Sequence, residues 1–292
     1  MKKIIFLAIL LISSIYSVKA QDDLMDIFCD EEVVDYTTAT FKTTRLALGF
    51  SVENPAKSDM IFIISHHFGK LSGGAYEFFG LDQATMRLGF EYGITDRLTV
   101  GIGRSTYNKT YDGFLKYKLL RQSKGAKTMP ITLNLVSGVY VNSLKWPEPD
   151  RENYFSSRMS YMFQALVARK FNKRLSLQLM PTIVHKNLVA TAADHNDIIS
   201  IGGGGRYKFT NRSSVNIEYY YVLPDQIVSY DYVNSLTVGF DIETGGHVFQ
   251  LFFSNSVPIN TPDFITQTNE KWTDGGIYFG FNIARVFTIG KN

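Results

Sequence analysis

From Arg97 to Phe287 the chain repeats one pattern, segments of about ten residues in which apolar and polar side chains alternate. Leu98, Val100 and Ile102 alternate with Thr99, Gly101 and Gly103. Leu236, Val238, Phe240 and Ile242 alternate with Thr237, Gly239, Asp241 and Glu243. A period of two places the two sets on opposite faces of an extended strand. The pattern predicts strands near 43–53, 59–68, 83–93, 97–106, 112–121, 129–141, 158–171, 174–186, 197–209, 213–223, 234–243, 247–255 and 275–287.

The connections fall into two classes. Thr95-Asp96, Asn172-Lys173, Asn211-Arg212 and Gly245-Gly246 are composed for tight turns. Longer polar connections run over 142–157, 187–196, 224–234 and 256–274. Short turns alternating with long loops are the mark of an outer-membrane barrel, with turns in the periplasm and loops outside. The predicted fold is therefore all-β, an antiparallel transmembrane β-barrel. The thirteen candidate segments are an odd number, whereas bacterial single-chain barrels are even. The favoured reading has about 12 strands with the N-terminal segment partly inside, and a reading with 14, using a weak strand in 33–40, stands second.

The first twenty residues change the picture by placing the chain. Lys2 and Lys3, the apolar run Ile4–Ile12 and Val18-Lys19-Ala20 form the three regions of a secretory signal peptide. The run is too short to span a bilayer, which takes roughly 20 residues. The expected organisation is a signal peptide at 1–20, cut near Ala20, an acidic segment at 21–40 and a barrel at 41–292. The expected location is the outer membrane of a Gram-negative bacterium. Cys29 is the only cysteine, so no disulfide within the chain is possible.

Charge divides the chain further. Lys2, Lys3 and Lys19 account for three of the 30 bases, which leaves 27 bases against 27 acids after cleavage. Residues 21–35 hold seven acids and no base. The body is thus basic and the lead acidic. Its bases are scattered over strand positions and do not form the patch that nucleic acid requires. Charges on a lipid-facing wall cost roughly 2–4 kcal/mol, so inward parity is expected for Arg45, Arg87, Glu91, Lys116, Lys118, Arg206, Lys208, Glu218 and Asp241. These are the candidate lumen-lining residues. They describe either a basic ladder that favours anions or an interior stitched shut by cross-strand ion pairs.

Catalytic and metal chemistry find little support. His66 and His67 are adjacent, so on a strand they face opposite sides and cannot share a metal. No His-x-Ser occurs, the pair that outer-membrane phospholipases place on one strand face. Gly202–Gly205 lacks the Lys-Ser/Thr and helix of a phosphate cradle and is expected to serve packing across the wall. No enzyme, cofactor or metal is expected. Tyr and Phe are expected at strand ends on the outward parity, Phe50, Tyr92, Tyr117, Tyr219, Tyr221 and Phe279 among them, with Trp146 and Trp272 in loops at the rim.

Phe78–Asp82, Tyr92–Leu98 and Thr110–Lys118 resemble a family of outer-membrane β-barrel proteins of Bacteroidota, and the similarity runs from about Thr40 to the C-terminus. The resemblance implies an outer-membrane barrel and assigns no catalytic residue. The last strand resembles a barrel-assembly signal with Gly280, Ile283 and Phe287, although it carries Arg285 at an apolar position. The expected partners are outer-membrane lipid and the assembly machinery. The expected function is a channel or transporter for a small, anionic solute. The alternative is a structural or partner-binding barrel with a filled lumen, with a membrane enzyme a distant third.

Overall fold

The computed structural model describes residues 33–290. The signal peptide at 1–20, its cleavage site and most of the acidic segment fall outside the described residues. The strands are β1 (Val34–Tyr36), β2 (Asp59–Lys70), β3 (Ala84–Gly93), β4 (Leu98–Ser105), β5 (Tyr111–Leu120), β6 (Ser123–Gly125) and β7 (Thr132–Val141). They continue with β8 (Met159–Lys170), β9 (Leu175–Lys186), β10 (Asp197–Lys208), β11 (Ser213–Val222), β12 (Ser235–Thr244), β13 (His247–Ser254) and β14 (Tyr278–Thr288).

The chain divides into two units. In the smaller, β1 pairs antiparallel with β6. In the larger, the other twelve strands form a closed barrel, each paired antiparallel with the next. β14 returns to β2 with Phe287 opposite Met60 and Ile283 opposite Ile64, which closes the wall. Closure pairs the backbone groups that an open sheet would leave along its edges, a condition for crossing hydrocarbon. The tight turns stand at one end, as expected, at 94–97, 171–174, 209–212 and 245–246. The other end carries the longer loops 142–158, 187–196, 223–234 and 255–277.

The wall is apolar outside and polar inside. On β9, Leu177 is 45 % exposed and the next residue, Gln178, only 2 %. Ile102, Leu115, Phe163, Ile183, Ile217 and Phe253 are likewise exposed, whereas Thr99, Asn134, Gln164, Ser200 and Asn216 are buried. A protein dissolved in water inverts this arrangement. A lipid solvent accounts for it, because the outward side chains then exchange one apolar contact for another.

Twelve wall strands agree with the favoured count. The segment 43–53, expected as a strand, is not part of the wall. It forms bends with a single bridge, Arg45 opposite Phe50, and residues 43–52 are buried. The sequence does alternate, Leu46, Leu48, Phe50 and Val52 with Ala47, Gly49 and Ser51, but the chain bends along the segment and forms no strand. Both of its faces are covered because the segment runs inside the barrel. Phe50, expected at the lipid boundary, is buried there with it. The weak strand suspected in 33–40 exists as β1, but it pairs with β6 outside the barrel sheet.

Candidate functional site: a lumen filled by its own chain

Two pieces of chain occupy the lumen. The first is a hairpin spanning residues 37–56 that enters from the short-turn end and leaves again into β2. Its tip is closed by two backbone bonds, Leu46 N–H to Gly49 O at 2.8 Å and Ser51 N–H to Thr44 O at 2.9 Å. Glycine is required at this tip, since a Cβ on Gly49 would collide with the Tyr220 hydroxyl. The wall makes complementary room. A Cβ on Gly204 of β10 would collide with the Leu46 side chain, so part of the four-glycine run in β10 exists to admit the hairpin.

Inward side chains from many strands grip the backbone of this hairpin. At the tip, the Glu218 carboxylate accepts from Leu48 N–H at 2.5 Å and from Gly49 N–H at 3.1 Å. Asn282 donates to Ala47 O at 2.7 Å, and Gln250 donates to Leu46 O at 2.9 Å. Asn216 donates to the same Leu46 oxygen at 3.2 Å. Along the returning leg, Gln178 accepts from Val52 N–H at 3.0 Å and donates to Phe50 O at 2.7 Å, while Asn134 donates to Val52 O at 2.9 Å. Lys116 donates to Glu53 O, and Arg206 donates to Ala39 O at 2.8 Å. Buried peptide groups need such partners, because each one left unpaired costs about 1–3 kcal/mol.

The second piece is the loop between β13 and β14, which folds inward from the opposite end. Its short helix α1 (Thr261–Thr266) is buried at all six positions. Phe264 meets the Tyr220 ring edge-on at 5.1 Å. Three tyrosines hold the end of α1. Tyr232 donates to Ile265 O at 2.8 Å, Tyr230 donates to Thr266 O, and Tyr107 donates to the Gln267 side chain at 3.1 Å. Burial pushes the Asp263 carboxyl of α1 up to about 6, against the opposing effects of Lys186 and the Asn260 side chain. Where the hairpin tip approaches this loop, the space between Arg45, Phe50, Tyr140 and Asn260 is about 10 Å³, the room of one water molecule.

The charged residues named from sequence can now be located. Arg87 and Glu91 lie on β3, Lys116 and Lys118 on β5, Arg206 and Lys208 on β10, Glu218 on β11 and Asp241 on β12, while Arg45 belongs to the hairpin. Lys118 and Lys208 are half-buried and the others are buried. Several are already engaged. Arg45 pairs with Glu91 at 3.0 Å, and its guanidinium lies 3.8 Å from the centre of the Phe50 ring. Arg87 forms a two-point pair with Asp112, 2.9 Å from Nε and 2.5 Å from Nη2. Asp241 accepts from Gln250 at 3.0 Å and from Ser214 at 3.2 Å. Sequence reasoning overlooked Asp112 and the uncharged grips Asn134, Asn216, Gln250 and Asn282. The parity that located the charges would have found them, since each stands at an inward position. His66 and His67 do face opposite sides, with His67 buried and His66 stacked on Phe281 at 5.2 Å.

An apolar exterior, a closed antiparallel wall and a polar interior occupied by the chain itself define a membrane-bound β-barrel. The chain belongs to the family described as a membrane bound beta barrel domain, DUF5777, whose model matches residues 41–287. The matched region includes most of the hairpin, which is thus part of the domain. No curated protein matches the sequence. Among solved structures, the NanC porin is similar with a TM-score of 0.49 at 8 % identity, over 80 % of this chain and 100 % of that one. The KdgM porin gives 0.47 at 9 % identity, over 78 % and 99 %. An outer membrane channel from Pseudomonas putida F1 gives 0.45 at 14 % identity, over 85 % and 100 %. At these identities the likeness concerns the fold alone.

Proposed function

We propose that this protein is an outer-membrane barrel held shut by its own chain, a gated conduit for a small polar solute. The observation that carries the reading is the way the hairpin is attached. Its legs join no wall ladder, and side chains alone hold its tip, so it can leave without opening the barrel. Outer-membrane placement is supported by the apolar exterior, the signal-like N-terminus and the short-turn, long-loop alternation. An anionic solute is favoured at the short-turn mouth, where Lys208 shares the field of Lys42, Arg206 and Lys170 with Glu243 in opposition. Outer-membrane lipid and the assembly machinery are the partners this placement entails. The second reading, a permanently filled structural barrel, is favoured by the engagement of Arg45, Arg87, Lys116 and Arg206 with internal partners.

Proteoliposome flux distinguishes the two. Vesicles carrying the full chain should retain small anions, and those carrying a chain with residues 43–52 replaced by a Gly/Ser linker should release them. Retention by both, with the variant folded and inserted, would overturn the gated reading in favour of the filled one.

A further inference from the structure

The long-loop end of the barrel contains a pocket of about 390 Å³ that none of the described residues fills. Its size lies within the range of small-molecule sites, roughly 300–1,000 Å³. The walls come from four loops. Tyr107 follows β4, Lys186 and Leu188 stand at the end of β9, Ile227 and Tyr230 follow β11, and Gln267 and Asn269 follow α1. Lys186 continues the inward parity of Gln178, Thr182 and Val184, which places it above the filled lumen.

The chemistry of this lining is selective. Lys186 is its only Lys or Arg, and no carboxylate among the described residues lies within ion-pair distance of it. Asp194 is the only carboxylate of the lining, and its oxygens are already occupied. One accepts from Val228 N–H at 2.8 Å and Ser229 N–H at 3.0 Å, and the other from Thr191 N–H and hydroxyl, both at 3.1 Å. The lining carboxylate is thus turned to loop structure; Asp263 and Asp194 act on the Lys186 ammonium only through their charge, and neither contacts it. Leu188, Val189, Ile198 and Ile227 supply apolar surface beside it, and Asn269 supplies an amide, while the Gln267 amide is held by Tyr107 at 3.1 Å and Asp263 at 2.8 Å.

We propose that this pocket binds a small organic carboxylate with an apolar body, its acid group on Lys186 and its body against the Leu188–Ile227 side. The amide of Asn269 serves a remaining polar group of the ligand. Because residues 266–269 form one wall, an occupied pocket braces the loop that carries α1. The site does not require the lumen to open, so it stands or falls independently of gated conduction.

The test uses the purified full chain in zwitterionic lipid nanodiscs, with benzoate and cyclohexanecarboxylate as probes and their primary amides as uncharged controls. Ligand-observed saturation-transfer NMR, corrected against empty nanodiscs, measures binding. Both acids should bind saturably in the millimolar range or tighter, with each amide at least tenfold weaker. Lys186→Met should weaken the acids at least tenfold and leave the amides unchanged, in protein whose heat-modified gel shift is that of wild type. Asn269→Ala should weaken the acids by a smaller factor. No saturable acid binding, equal affinity for acid and amide, or acid binding indifferent to Lys186→Met would each overturn the proposal.

Discussion

Replacing Glu218 by Ala should loosen the hairpin without harming the wall. The carboxylate accepts the N–H groups of Leu48 and Gly49 at 2.5 and 3.1 Å, and both Glu218 and Leu48 are buried. Removing it strands two buried donors at about 1–3 kcal/mol each, or about 2–6 kcal/mol together. Part of that cost is returned because a carboxylate no longer has to be kept in a buried place. A net loss of about 2–4 kcal/mol is expected, and at 1.4 kcal/mol per factor of ten the undocked fraction rises roughly 30- to 1,000-fold. Glu218→Gln retains one acceptor oxygen and turns an NH2 group toward the tip, so it should fall between wild type and Ala. The assay is thiol labelling of Leu48→Cys in a Cys29→Ser background, with the reagent added to detergent-solubilised, folded barrel. Labelling should be slow with Glu218, faster with Gln and fastest with Ala. Equal rates in all three, in protein that retains its heat-modified gel shift, would refute the claim that this carboxylate anchors the tip.

Further outcomes follow from the same arrangement. Leu177→Arg places a charge on the lipid face and should cost roughly 2–4 kcal/mol of membrane folding, read as loss of the heat-modifiable gel band. Gln178→Arg should keep that band but speed labelling at position 48, because it breaks the contacts to Phe50 and Val52. Phe264→Ala empties a fully buried site against Tyr220 and should destabilise docking of α1 by about 3–5 kcal/mol, measured by protease cleavage within 255–277. Asp263 holds its proton more tightly in the folded protein than in the unfolded chain, because burial raises its pKa from 3.8 to about 6. Its contribution is therefore full below about pH 4 and lost as pH rises through 6, a change of about 3 kcal/mol. Thermal unfolding should show wild type losing stability relative to Asp263→Asn between pH 4.5 and 7, and parallel curves would contradict this assignment.

The wall was legible from sequence because its physics is local. Lipid outside and a polar lumen inside impose a period of two on every strand, and Leu175-Ser176-Leu177-Gln178-Leu179 states it plainly. The same rule assigned Arg87, Lys116 and Glu218 to the polar side of the wall, and all three are buried. It could not separate residues 43–53 from a wall strand, since a hairpin buried among inward side chains can carry the same alternation without forming a strand. Only Gly49, Pro55 and the odd total of thirteen segments hinted at a different place. The partners of the lumen side chains were not legible at all. Glu218 and Leu48 are 170 positions apart, and Asn282 and Ala47 are 235 apart. Emphasis on charge also hid the uncharged amides, which make most of the contacts to the hairpin. α1 escaped notice because it is six residues long and lies in a loop that reads only as polar and irregular.

Single-channel current across planar bilayers, recorded for the full chain and for the chain with residues 43–52 replaced by a Gly/Ser linker, tests the central claim most directly. The full chain should be silent for most of the record at low voltage, and the variant should conduct in long, stable openings. A full chain that conducts steadily at the level of the variant would contradict closure by the hairpin, and so would a variant as silent as the full chain.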